Sequence, residues 1–232
     1  MHASYVSIPS HDGQSFDAYL SLPPKGQGPG LVILQEIWGV NEHIRAVADQ
    51  YAMDGYVVMA PDVFWRQQPR VDLGYDEEGS KLARHYMANL DAPNTVLDLQ
   101  ATANALRARP EVSGKVGAVG YCMGGRLAFA LAATGTIDAA VCYYGGRIQD
   151  NLDVAPAITG PILFHYAELD AHIPMGAVDS VKAAFAGRSN AQFHVYPGAD
   201  HGFNCWGRPM YQQRSAALAR GRTLQWLAEN MG

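Results

Sequence analysis

Gly120-Tyr121-Cys122-Met123-Gly124-Gly125 sets a cysteine between a short apolar run that ends at Gly120 and a helical run from Leu127 to Ala132. Glycines two residues before and after a candidate nucleophile form the pattern of a nucleophile elbow, where a strand reverses sharply into a helix. That reversal crowds the nucleophile's backbone, and small neighbours at Gly120 and Gly124 relieve the crowding. A thiol held there projects above the sheet, and the helix N-terminus favours its thiolate. The same helix start offers backbone N–H groups to a developing oxyanion, with the Met123 amide as the natural first donor. The chemistry expected is attack by the Cys122 sulfur on an acyl carbon.

Such a nucleophile needs a base within hydrogen-bond reach and a group that orients the base. On an elbow the chain order is nucleophile, acid, histidine. Asp170 follows the run Ile162-Leu163-Phe164-His165-Tyr166, at the carboxyl end of a candidate strand, and His201 follows the last candidate strand, in Tyr196-Pro197-Gly198-Ala199-Asp200-His201-Gly202-Phe203. Glu168 and Asp200 are competing carboxylates. His165 and His194 fall inside strand-like runs and read as core or satisfied polar groups. His2, His11, His43, His85 and His172 lack a fitting strand-end context. Cys205 lies near His201 in sequence, which raises an alternative nucleophile or a redox pair with Cys122, but it has no elbow. Cys142, within Val141-Cys142-Tyr143-Tyr144, reads as strand core.

These residues need a frame. Eight β-branched or apolar runs recur, at Tyr5 to Pro9, Phe16 to Leu22, Leu31 to Gln35, Tyr56 to Ala60, Val116 to Gly120, Ala139 to Tyr144, Ile162 to Tyr166 and Gln192 to Tyr196. The first two flank the turn signal His11-Asp12-Gly13 and read as an antiparallel hairpin. Between the later runs, Ile44, Val47, Ala48 and Tyr51 follow a candidate Asn41 cap at helical spacing. Val96, Leu99, Ala103 and Leu106 repeat that spacing, as do Val178, Val181 and Phe185, and Leu218, Leu224 and Leu227 sit in a final helix. Alternating strand and helix predicts an α/β fold whose mostly parallel, eight-stranded sheet is covered by helices on both faces. Pro61 to Pro93 is the least regular stretch. Its aromatics Phe64, Trp65, Tyr75 and Tyr86 either line a pocket or cover the core.

Composition bounds the alternatives. A chain of 232 residues suits one core, so residues 1–232 are expected to form a single domain. With 48% hydrophobic and 17% charged residues it lies far from disordered composition. A net charge of −5 with scattered lysines and arginines argues against nucleic acid as a partner. No stretch reaches about 18 apolar residues, so no membrane span is expected. The start Met-His-Ala-Ser-Tyr lacks a basic n-region followed by an apolar one, which places the expected location in the cytoplasm. Three widely spaced cysteines suit reduced thiols better than a disulfide framework or a zinc site.

From Leu31 to the last helix the chain resembles the dienelactone hydrolase family. The resemblance rests on Gln35-Glu36-Ile37-Trp38-Gly39, Ala60-Pro61-Asp62, the elbow around Cys122, Ala167-Glu168-Leu169-Asp170 and Asp200-His201-Gly202-Phe203. It implies an α/β-hydrolase fold and hydrolysis of small-molecule lactones or esters without metal or cofactor; a monomer or small homo-oligomer is expected. It implies Cys122 as nucleophile, His201 as base and Asp170 as its orienting carboxylate. It also implies a role for Glu36 in contact with the resting thiol, and the Ile37 amide as second oxyanion donor beside Met123. A carboxylate next to the sulfur would raise the thiol's pKa, so Cys122 is expected to rest as a thiol until substrate displaces Glu36.

The chain departs from this pattern where the family holds a substrate carboxylate with arginines. Four positions beyond His201 stands Cys205, and Tyr75-Asp76-Glu77-Glu78 carries no arginine. Arg84 or Arg208 could substitute from a nearby position, but each reads first as a solvated arginine. Trp38, Tyr143, Tyr144, Phe203 and Trp206 are expected to form an apolar pocket wall for a neutral or aromatic ester or lactone. Cys, His and Asp would also serve a thiol-dependent hydrolase of peptide or thioester bonds, and the fold alone would serve a non-catalytic binding protein.

Overall fold

The computed structural model describes residues 2–232. All eight expected strands are present, as β1 (His2–Pro9), β2 (Ser15–Leu22), β3 (Gly28–Leu34), β4 (Val57–Pro61), β5 (Val112–Tyr121), β6 (Ala139–Tyr143), β7 (Ile162–Ala167) and β8 (Ala191–Tyr196). They form one sheet in the order β1-β2-β4-β3-β5-β6-β7-β8. The opening hairpin joins it antiparallel, through β1 on β2 and β2 on β4. Every pairing from β4 to β8 is parallel.

Both faces are covered. On β5, Val116 lies toward Leu106 of helix α3 (Ala92–Arg107), and its neighbour Gly117 lies toward Met231 of α6 (Gln213–Met231). Successive residues of a strand point to opposite faces, so α3 and α6 sandwich the sheet. Helix α1 (Glu42–Met53) joins α6 through an Arg220–Asp54 ion pair, and α4 (Met123–Ala133) packs with α3. This double cover explains why β4, β6 and β7 are buried along their whole length and read as continuous apolar runs.

The sequence misses one helix. Within the stretch read as irregular, α2 (Glu77–Ala88) starts at Asp76, whose carboxylate accepts the Gly79 N–H at 2.7 Å. Only Gly79 and Ala83 of α2 are buried, so its apolar stripe is too thin to give a helical period. Helix α5 (Met175–Ala184) follows β7, and a 3-10 segment spans Ile148–Ala157 after β6. The loops at the carboxyl ends of β3, β5, β7 and β8 carry Glu36, Cys122, Asp170 and His201, so parallel register brings four distant chain segments to one edge. No helix among the described residues is long and apolar enough to cross a membrane.

Candidate active site

Cys122 joins β5 to α4 with φ 55° and ψ −114°, a conformation that side-chain-bearing residues rarely adopt. Its N–H donates to the Tyr143 carbonyl at 3.0 Å, and its carbonyl accepts the Gly125 and Arg126 amides. A Cβ at Gly120 would collide with the Gly124 carbonyl, and one at Gly124 would collide with the carbonyls of Leu34 and Gln35. The elbow therefore needs glycine at both positions, because backbone from β3 and from α4 itself passes through the space a side chain would take.

His201 bridges the thiol and a carboxylate. Its Nε2 lies 3.1 Å from Cys122 Sγ, and its Nδ1 lies 2.7 Å from Asp170 Oδ2. Asp170 is fixed in turn, since its Oδ1 accepts the His172 and Ile173 amides at 2.8 and 3.1 Å. Burial works against a charged imidazole here, but the facing Cys122 sulfur and the Asp170 carboxylate outweigh it and push His201 up to about 10. The competing carboxylates serve the loop backbone: Asp200 accepts the His201 N–H at 2.6 Å and Glu168 accepts the Gly198 N–H at 2.8 Å. His165 is fully buried and satisfied by Tyr196 Oη and Thr223 Oγ1 at 2.8 and 2.9 Å, a core histidine as read from its strand.

Glu36 departs from expectation. It makes no hydrogen bond to Cys122. Its Oε1 instead accepts from Arg208 at 3.5 Å, and its Oε2 is buried without a partner. Burial raises its carboxyl above the usual range, against the lowering by Arg208 and His201. Arg208, read from the sequence as solvated, is largely buried because its guanidinium lies between Glu36 and the Trp38 ring, 4.7 Å from the ring centre.

Cys205 is buried, with Sγ 3.2 Å from Tyr75 Oη, and burial together with the Glu36 charge pushes its thiol up to about 12. That environment withholds the thiolate a nucleophile or redox partner would need. Glu36, His43 and Cys205 place one donor atom each within 4.8 Å of one another, the one set of this kind among the described residues. O, N and S donors could hold a divalent cation, but the Arg208 guanidinium already occupies Glu36 and opposes a second positive charge.

Sequence reasoning passed over His43 because it sits on a helix rather than at a strand end. It is 4% exposed, packs edge-on against Trp206, and neither ring nitrogen has a partner. Burial first, and then the charge of Arg208, push it down to about 4. The unfolded chain would bind this proton near pH 6.5, and the folded protein holds it off until about pH 4. Stability should therefore fall as pH drops through that window, by up to about 3 kcal/mol. In urea titrations, His43→Gln is expected to lose less stability than the wild type between pH 7 and pH 4.5. Parallel losses in both proteins would exclude this account.

A cavity of about 590 Å³ opens over the thiol. Cys122, His201, Ile37 and Met123 line it, together with Trp38, Tyr75, Met87 and His172. The expected pocket wall is only partly realised. Trp38 lines the cavity, but Tyr143, Tyr144 and Phe203 are fully buried behind it, where Tyr144 packs 5.2 Å from the His201 ring and Phe203 packs on Tyr144. None of the three rings lines the cavity: Tyr144 and Phe203 pack behind His201, and Tyr143 packs on His165. Trp206 turns away to cover His43 and borders a separate hollow with Val47 and Tyr51.

A parallel sheet between two helical layers, with a cysteine on the elbow after β5 and an aspartate and histidine after β7 and β8, defines an α/β-hydrolase. The chain belongs to the dienelactone hydrolase family, whose model matches residues 16–231. Among its relatives, the carboxymethylenebutenolidase of Pseudomonas putida is 37% identical over 224 residues, covering 96% of this chain and 95% of that protein. Carboxymethylenebutenolidase 1 of Cupriavidus pinatubonensis is 34% identical over 224 residues, again covering 96% and 95%. A Klebsiella pneumoniae protein provisionally described as a dienelactone hydrolase has a crystal structure that matches with a TM-score of 0.88 at 31% identity, covering 98% of each chain.

Proposed function

We propose that this enzyme hydrolyses carboxylic lactones or esters of small molecules through a Cys122-His201-Asp170 triad and a thioester acyl-enzyme. The observation that carries the reading is the unbroken contact from Cys122 Sγ through the His201 ring to a doubly anchored Asp170. The relatives' activity, opening a butenolide lactone, belongs to the same reaction class.

His201 takes the thiol proton, and the sulfur attacks the acyl carbon. The carbonyl oxygen becomes an oxyanion held by the Ile37 and Met123 amides. The tetrahedral intermediate collapses, the acyl–oxygen bond breaks, and the His201 proton goes to the departing alkoxide, which in a lactone stays tethered as a hydroxyl. His201 then takes a proton from water, whose oxygen attacks the thioester. Cys122 leaves as thiolate and takes back the proton from His201, and the acid product is released. Glu36 acts as a positioning residue, neutralising Arg208 and holding it against Trp38. No step calls for a metal or cofactor.

Rapid quenching during turnover of a p-nitrophenyl ester, followed by peptide mass spectrometry, is expected to find the acyl mass on the peptide carrying Cys122. An acyl group on Cys205 or on a serine would overturn the assignment, and turnover with no covalent adduct under any quench would overturn the thioester route.

A further inference from the structure

Three side chains from distant segments meet in the packed interior, and none of them lines the cavity over Cys122. Glu36 comes from the loop after β3, His43 from the first turn of α1, and Cys205 from the loop after β8. They are 1%, 4% and 0% exposed, and one donor atom of each lies within 4.8 Å of the others. Glu36 Oε2 and both ring nitrogens of His43 have no hydrogen-bond partner among the described residues. These atoms have given up water without replacement. A cation bonded at roughly 2.0 to 2.3 Å spaces its ligands up to about 4.5 Å apart, close to the spacing of this cluster.

Charge decides which cation fits. Glu36 is paired with Arg208, and burial keeps His43 neutral and Cys205 protonated at pH 7, so the cluster carries no net charge. A divalent ion leaves one positive charge in excess even after the thiol gives up its proton, in a site with no water to screen it. A monovalent ion that replaces the thiol proton leaves the charge as it was. Thiolate and imidazole together select a soft ion, Cu(I) above all. The surroundings suit the exchange: Tyr75 Oη accepts from Cys205 Sγ and from Asn41 Nδ2, each at 3.2 Å, so its own hydrogen can turn to the thiolate.

We propose that Glu36, His43 and Cys205 form a binding site for a soft monovalent cation, Cu(I), separate from the catalytic thiol. The Cys205 S–H bond breaks, an S–Cu bond forms and the proton leaves to solvent. Copper stays Cu(I), so no oxidant or reductant takes part. His43 supplies a nitrogen lone pair, and Glu36 Oε2 completes the set while Oε1 keeps Arg208. The ion enters past the exposed Trp206 ring that covers His43.

Anaerobic titration with Cu(I) against the chromogenic chelator bicinchoninate tests this in Cys122→Ala, which removes the competing thiol and asks nothing of turnover. One equivalent is expected to bind. In that background His43→Gln should weaken binding by about tenfold or more, and Cys205→Ser should abolish it. An equal concentration of Zn2+ should not displace the bound Cu(I). X-ray absorption of copper-loaded Cys122→Ala needs no further variant and is expected to show one sulfur beside nitrogen or oxygen neighbours. No Cu(I) on Cys122→Ala, equal affinity after His43→Gln or Cys205→Ser, or a copper with two sulfur neighbours or none would each overturn the site. Displacement by Zn2+ would overturn the choice of a monovalent ion.

Discussion

Cys122→Ala is expected to lower kcat/KM for a p-nitrophenyl ester by about 10⁴-fold or more, with the fold unchanged. The thiol is the only atom lost. It lines an open cavity and is only partly buried, so its removal leaves no closed void that the core must fill. The elbow is held by backbone bonds, from Cys122 N–H to the Tyr143 carbonyl and from Gly125 and Arg126 to the Cys122 carbonyl, and alanine keeps all of them. His201 would keep Asp170 but have no proton to collect. Any remaining turnover would come from oxyanion donors acting on a water-driven reaction. Steady-state rates beside far-ultraviolet circular dichroism and a melting curve check both halves of the expectation. Wild-type turnover by a folded Cys122→Ala protein would remove the cysteine from the mechanism.

The elbow was legible from sequence because steric necessity leaves few residue choices there. A side chain at Gly120 or Gly124 meets backbone, so the glycines are written into the chain. The parallel strands were legible for a related reason, since burial on both faces writes continuous apolar runs such as Val57–Pro61 and Ala139–Tyr143. The same double burial hid which way Tyr143 and Tyr144 face. Every residue of β6 is buried, and Tyr144 just beyond it is too, so no alternation of polar and apolar residues remained to show that these rings lie behind the cavity instead of lining it. The Glu36–Arg208 pair joins residues 172 positions apart, through a loop whose path no local pattern encodes. Helix α2 escaped because it buries almost nothing.

Asp170→Asn tests the part of the site that the thiol variant leaves untouched. The carboxylate accepts three N–H groups at once: His201 Nδ1 on Oδ2, and the His172 and Ile173 amides on Oδ1. Asparagine has one acceptor oxygen and one NH2, and the two backbone amides claim the oxygen. The NH2 then faces His201 Nδ1, which must become an acceptor, and the remaining ring proton moves to Nε2, 3.1 Å from the sulfur it should deprotonate. The imidazolium also loses the negative charge that, after Cys122, holds His201 high. Both effects act on the reacting proton rather than on substrate contacts, so kcat is expected to fall by about 10³ to 10⁴-fold with KM little changed. The loop should survive, because its two amides keep their acceptor. Wild-type kcat with an altered melting temperature would reduce Asp170 to a loop anchor. Equal losses in kcat and in thermal stability would leave the catalytic role unsupported and point to collapse of the turn at His172 and Ile173.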